Sequence, residues 1–238
     1  MEDSKKESKA KNFIKRYCNN KLAVIGFFTL VLITLIVIIA PPFLPFSEAE
    51  IDPLAFNMPP SAKHLLGGDD VGRDVLSRLL YGGRVSLAVG IFSTAVSVIV
   101  GIPLGMLAAF YRGAFEVVVM RLSDIFMSFP STILILFLVS MFGPSIITVT
   151  VVIGVLGWPK FARQIYGSVL SIREKDYIEG AVAIGAKDKL IITRYILPNA
   201  VAPIFISITF RIASAIILES SLSFLGMGVQ PPAASWGN

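Results

Sequence analysis

The sequence predicts an all-α polytopic transmembrane helix bundle, and three observations carry that prediction. Of 238 residues, 55% are hydrophobic and only 16% are charged, and the mean hydropathy is +0.76. A soluble domain is less apolar and more charged than this. Several runs reach the about 20 apolar residues that a helix needs to cross a bilayer core. The in-out alternation of a membrane barrel is absent.

Five crossings follow in chain order. Residues 1–21 are charged and lack an apolar period, so they read as a flexible or interfacial segment. Residues 22–40 are wholly uncharged. They are long for a signal peptide, and no small-x-small site precedes Pro41-Pro42, so they form a retained first span. The loop 41–83 begins irregularly, with Pro41, Pro42, Pro45, Pro53, Pro59 and Pro60. Gly67-Gly68 then breaks the chain and Asp69 or Asp70 can cap. Asp74, Val75, Leu76, Leu79 and Leu80 suggest a short amphipathic helix before the second span.

Residues 84–238 read as one core domain. Val85–Phe110 is the second span; Gly101-x-x-x-Gly105, with Pro103 between, permits close helix approach. A hairpin is expected near Arg112. Ile125–Thr150 and Ile146–Trp158 hold two further helices, separated at Gly143-Pro144 and kinked at Pro130. Arg121 and Asp124, one turn apart, can form a structural pair. Val201–Phe224 is the fifth span, apolar except for Arg211 and Glu219.

Lysine and arginine set the orientation. Seven precede the first span, and seven more lie between Lys160 and Arg194. The loop 41–83 has three, against six acids. Positive-inside places the N-terminus and residues 159–198 in the cytoplasm and 41–83 outside, and five crossings satisfy all three placements. The net charge of +5 is then the flank charge of membrane helices and requires no nucleic acid.

Catalytic signatures are missing. The chain has no P-loop, no H-E-x-x-H, no C-x-x-C and no G-x-S-x-G. His64, the sole histidine, reads as an exposed loop residue, since a metal site needs several ligands. Cys18, the sole cysteine, reads as a free thiol.

The polar stretch EKDYIEGAVAIGAKDKLIITRYILP (174–198), within a segment 166–198, is different in kind. Asp176 can cap a helix, with Glu179 closing a capping box. Ile178, Ala181, Val182 and Gly185 share one face; Gly185 ends that helix and Asp188 caps a second running towards Pro198. Such a helix-turn-helix offers a smooth, small-residue face for a partner protein. Glu179 as a cap and Glu179 as a docking residue are compatible roles.

These residues resemble the cytoplasmic loop of permease subunits in bacterial ABC importers. The family pattern is Glu-Ala-Ala, three residues, Gly, nine residues, Ile, one residue, Leu-Pro. Glu179, Ala181, Gly185, Leu197 and Pro198 fit it; Gly180 replaces the first Ala, and Tyr195 stands for Ile with Ile196 beside it. A second stretch resembles the dipeptide, oligopeptide and nickel branch of the same permeases. Gly67, Asp69, Gly72, Arg73, Asp74, Leu76, Ser77 and Arg78 match its outer-loop signature, with Gly68 in place of Thr. The closing segment Glu219–Asn238 resembles that branch too, and the long loop after the first span is similar to that of the C-type permease of the pair. Branch members normally carry one more helix after such a Ser-Trp-Gly-Asn, so a sixth crossing is expected to be missing here.

The resemblance implies one half of the pore of an ATP-driven importer for dipeptides or oligopeptides, with nickel or a metal chelate as the alternative cargo. It implies a second permease as heterodimer partner, two ABC ATPase subunits that hydrolyse the ATP, and an extracytoplasmic substrate-binding protein. The chain itself would be non-catalytic, without cofactor, in the bacterial cytoplasmic (inner) membrane with its N-terminus in the cytoplasm. Docking to the ATPases would fall to Glu179, Gly180, Ala181, Gly185, Leu197 and Pro198.

Arg211 and Glu219 are costly inside a membrane helix and face either the translocation path or a buried partner. A secondary transporter would need midplane acids or broken helices, and Glu219 is the only clear acid within the spans. A non-transporting scaffold would leave the spacing from Glu179 to Pro198 without a cause.

Overall fold

The computed structural model describes residues 17–238, so the charged segment at 1–16 lies outside the described residues. Among the described residues the structure is helical. Its only β features are two isolated bridges, Ile51 with Arg73 and Gly68 with Asp74. The chain divides into two compact units, one ending at Arg84 and the other beginning at Val85.

In the first unit, Asn20 caps α1 (Lys21–Ile39) by accepting the Ala23 N–H at 3.2 Å. Apolar side chains surround the helix and only Val37 is buried, which suits a lipid environment. Pro41 and Pro42 lack the N–H groups that would bond the carbonyls of Val37 and Ile38. Arg84 supplies the missing donors: Nε donates to Val37 O at 3.0 Å and Nη2 to Ile38 O. Tyr81 donates its hydroxyl to Pro41 O at 3.1 Å.

The next helix differs from the sequence expectation. α2 (Val75–Tyr111) is one continuous helix of 37 residues, about 55 Å long. It takes in both the expected amphipathic helix and the second span. Gly82 and Gly83 weaken helix propensity, but neither adopts positive φ and Arg84 follows them directly, so nothing ends the helix there. Its cap is Asp74, not Asp69 or Asp70: Oδ2 accepts the Ser77 N–H at 2.8 Å.

In the second unit the chain turns at Arg112 and Gly113, with φ of 57° and 66°, where the hairpin was expected. α3 (Gly113–Ser128) and α4 (Ser131–Phe142) follow, bent by 88° at the intervening break. The expected kink is therefore a full break. Phe129, pushed out of the helical region by the following Pro130, is extended at φ −92°, ψ 140°. After Gly143-Pro144, Ser145 caps α5 (Ile146–Arg173) by accepting the Thr148 N–H at 3.0 Å. α6 (Asp176–Ala183), α7 (Asp188–Leu190), a π-helical stretch (Ile191–Ile196) and α8 (Leu197–Ala200) lead into α9 (Ala202–Phe224).

By length and composition α1, α2, α5 and α9 can each cross a membrane, and the bent pair α3–α4 makes five if it counts as one span. α5 supplies the centre of the second unit. Its buried residues enter three apolar clusters: one with α2, α6, the π-helical stretch, α8 and α9, one with α2, α4 and α9, and one with α2 and α3. A Cβ at Gly105 would lie 2.1 Å from the Ala162 carbonyl, and one at Gly101 would lie 2.6 Å from that of Trp158. The small-residue spacing thus seats α2 on α5 of the same chain.

Candidate functional site

The segment between α5 and α9 is the first candidate. Lys175, with extended backbone, precedes α6 and its side chain makes no cap hydrogen bond. Asp176 is the first helical residue, so the expected capping box is not formed. Asp176 and Glu179 still lie in the first turn, where the helix dipole favours acids. The C-terminus closes as expected. Gly185, at φ +77°, donates to Val182 O at 2.9 Å, and Ala186 donates to Ala181 O at 3.0 Å. This is a Schellman closure.

Lys187, not Asp188, occupies the cap position of α7, again without a side-chain cap bond. Pro198 cannot donate to the preceding turn. The helix meets it in π register, with Leu197 N–H bonded to Ile192 O.

The face expected to be smooth and exposed is split. Ile178 and Ala181 are buried, with Ala181 at 7% exposure, and they pack with Ala109, Ile165, Ile172 and Ile204. Ala181 therefore holds α6 to the bundle. Glu179, Gly180, Gly185 and Pro198 are exposed and Leu197 is half-buried. Val182, on the expected face, is exposed as well, and so are Tyr177 and Ile184, the last at 85%, which the spacing argument had not singled out. A cleft of about 740 Å³ opens beside α6, lined in part by Arg112, Arg173, Glu174, Glu179 and Asp188.

The loop between α1 and α2 gathers its signature residues into one cluster. Gly67 and Gly72 have φ of +82° and +89°. A Cβ at Gly67 would lie 2.3 Å from Met58 O, and one at Gly72 would lie 2.5 Å from Asp52 O. Only glycine fits either place.

Asp69 Oδ1 accepts the N–H groups of Val71 and Arg73, both at 2.9 Å, and its Oδ2 accepts Arg73 Nε at 2.7 Å. Burial alone would raise the Asp69 pKa. The backbone bonds from Arg73 and Val71 and the Arg73 guanidinium outweigh burial, and the net shift is downward.

His64 is buried at 1% exposure, contrary to the loop-residue expectation. Its Nδ1 lies 2.9 Å from Asp74 Oδ1 and its Nε2 lies 3.4 Å from Asp52 Oδ2; Phe46 stacks on the ring. The Lys63 ammonium, 2.5 Å from Asp52, and the Leu54 N–H hold the Asp52 carboxyl down at about 2. The signature is thus a fold determinant of this loop.

The α9 charges part company. Arg211 Nη2 donates to Ile153 O at 2.7 Å, passing Gly157, where a Cβ would lie 2.5 Å from Nη2. Arg211 also lines a cavity of about 340 Å³. Glu219 is fully enclosed. It accepts the Ser86 hydroxyl at 2.8 Å and the Ser223 hydroxyl at 2.7 Å. Those hydroxyls in turn accept the Trp236 and Val229 N–H groups at 3.1 and 3.0 Å. Glu219 thereby anchors the closing segment. Asp124 finds a partner the sequence did not suggest: Arg163 of α5 bonds it directly, while Arg121 stands at 3.9 Å.

A set of apolar spans bound through one core to an exposed helical segment is the build of a membrane transport subunit, and sequence comparison gives its kind. The model of the binding-protein-dependent transport system inner membrane component matches residues 101–238. That of the N-terminal TM domain of oligopeptide transport permease C matches residues 8–60. The chain belongs to the binding-protein-dependent transport system inner membrane component family.

The dipeptide transport system permease protein DppC of Alkalihalophilus pseudofirmus is 38% identical over 94% of this chain and 73% of its own length. The glutathione transport system permease protein GsiD of Pectobacterium atrosepticum is 39% identical over 95% and 76%. The oligopeptide transport system permease protein OppC of Bacillus subtilis is 33% identical over 95% and 74%. A solved structure of inward-facing MetNI methionine ABC transporter superposes with TM-score 0.57 at 22% identity, over 67% of this chain and 77% of that one. It shares the fold.

Proposed function

We propose that this chain is one half of the transmembrane pore of an ATP-driven importer of dipeptides and oligopeptides. It pairs with a second permease, works with two ABC ATPases, one of which docks on its α6–α8 segment, and receives substrate from an extracytoplasmic binding protein. The relatives' names support the substrate class. The lysine and arginine distribution supports a cytoplasmic N-terminus and a cytoplasmic α6–α8 segment.

One observation carries the coupling role. α6 shows Glu179 and Gly180 to solvent, while its other face, Ile178 and Ala181, enters the apolar cluster that also holds α2, α5 and α9. A close-packed cluster is stiff. A push on the exposed face therefore moves the spanning helices instead of being absorbed in a loop. When ATP closes the ATPase pair, that push turns the bundle outward-open; hydrolysis resets it. ATP chemistry stays with the partners.

Gly180→Trp tests the docking role. A Cβ at Gly180 meets nothing within 4 Å, so the new ring burdens a partner and not this chain. Overpacking costs about 1–3 kcal/mol, or roughly 5- to 150-fold in ATPase association. The expected result is normal membrane insertion with loss of ATPase co-purification and uptake. A Gly180→Trp complex that retains its ATPases and transports at the parental rate would refute docking at this face.

A further inference from the structure

The Arg211 cavity lies deep in the spans. Arg211 is nine residues into α9, about 14 Å along its axis. The cavity's polar lining comes from Lys160, Gln164, Ser207, Arg211 and Ser214, and two phenylalanines complete it. Two of those side chains are cations and none is an acid.

Arg211 is held by one bond, Nη2 to Ile153 O, while its Nε is enclosed without a hydrogen-bond partner. A guanidinium at membrane depth needs water or an anion. Its planar fork matches a carboxylate. Ser207 adds a hydroxyl and Gln164 a second amide N–H beyond the one it gives Pro203 O, while Ser214 lines the site with its own hydroxyl donated to Phe210 O. Gly157 makes the site possible, since a Cβ there would occupy the place of the guanidinium.

We infer that this cavity is a carboxylate station on the translocation path, where Arg211, with Lys160 beside it, takes the C-terminal carboxylate of a peptide in transit. The inference rests on the peptide-importer reading. It adds a binding residue and a chemical selectivity: a peptide with a free C-terminus should pass better than its amide.

Two measurements test it. The first needs no peptide. In the detergent-solubilised complex with Cys18→Ser and Ser214→Cys, the thiol is labelled with sulfonatoethyl and trimethylammonioethyl methanethiosulfonates. Rates are normalised to a free thiol. The anionic reagent should react several-fold faster, and Arg211→Gln should abolish that preference. Lys160→Gln, at an exposed position, should reduce it, and so serves if Arg211→Gln does not fold. A cationic preference, or none, overturns the inference and leaves Arg211 a structural residue bonded to Ile153 O.

The second measurement is uptake into proteoliposomes holding the whole importer, comparing a dipeptide with its C-terminal amide. Arg211→Gln should lower uptake of the free acid by about tenfold or more, the worth of one hydrogen bond to a charged group, and lower uptake of the amide far less. Equal loss for both peptides overturns the carboxylate station while the importer reading stands. A parental complex that imports neither peptide, yet hydrolyses ATP, sinks the peptide-importer reading and the inference with it. The anionic labelling preference would then report a cationic cavity with another cargo.

Discussion

Asp74 is expected to be the clamp of the loop between α1 and α2, and removing it should open that loop by a measurable factor. One carboxylate has two duties: Oδ2 caps α2 through the Ser77 N–H at 2.8 Å, and Oδ1 pairs with buried His64 at 2.9 Å. Asp74→Ala loses the cap, worth about 1 kcal/mol. It also leaves the imidazole buried without that partner, worth about 1–3 kcal/mol. The sum, about 2–4 kcal/mol, is roughly a 30- to 900-fold rise in the population of the open loop. Ser77 supplies the probe. Its hydroxyl is fully buried with no hydrogen-bond partner, so Ser77→Cys removes no bond and is labelled only on opening.

In a Cys18→Ser background, maleimide labelling of Ser77→Cys should accelerate by that factor in Asp74→Ala. Asp74→Asn, whose amide oxygen can still accept the Ser77 N–H while its NH2 can donate to His64 Nδ1 in the matching tautomer, should change it less. His64→Ala should add little once Asp74 is gone, because coupled residues are not additive. Labelling of Asp74→Ala within threefold of the parent would refute the clamp.

The same loop should respond to acid. Asp52 and Asp69 have folded pKa values below the ordinary 3.8, about 2 for Asp52. Their contribution is therefore complete above about pH 4 and is lost as pH falls through the folded value. Pepsin cleavage within residues 52–73, normalised to an unfolded substrate, should rise between pH 4 and pH 2 and rise less in Asp52→Asn; a flat profile would contradict this. Glu219→Ala should release the closing segment, since two buried hydroxyls lose their acceptor and a void remains, at about 2–5 kcal/mol. Hydrogen exchange at the Val229 and Trp236 amides reads the release. Unchanged protection would rule out the anchor, and Glu219→Gln should be milder.

Much of the fold was legible in one dimension. The runs at 22–40, 85–110 and 201–224 correspond to α1, α2 and α9, because bilayer thickness imposes a length that an uncharged run either meets or does not. Breaks at Gly143-Pro144 and Gly185 were legible for a similar reason: proline removes a donor and glycine admits positive φ whatever the surroundings. Cap positions were less so. Asp74 displaced Asp69 and Asp70, because three acids within reach of one helix start look alike until the backbone selects one, and at α6 the cap position fell to Lys175, which makes no side-chain cap bond. The amphipathic helix at Asp74–Leu80 was read as separate from the second span, yet the helix runs on through Gly82-Gly83.

The sequence by itself determined the class of the protein and most of its spans, and it marked out the polar helical segment between the last two, since these depend on run length, charge sign and fixed spacings along the chain. The tertiary structure decided what each polar residue meets. Arg163 reaches Asp124 from 39 residues away and Ser86 reaches Glu219 from 133. His64 disappears between Asp74 and Asp52, Ala181 turns inward, and Arg211 is left facing a cationic cavity. No periodicity encodes such meetings. They follow from which helix faces pack, and a buried polar group takes whichever partner that packing brings within hydrogen-bond reach.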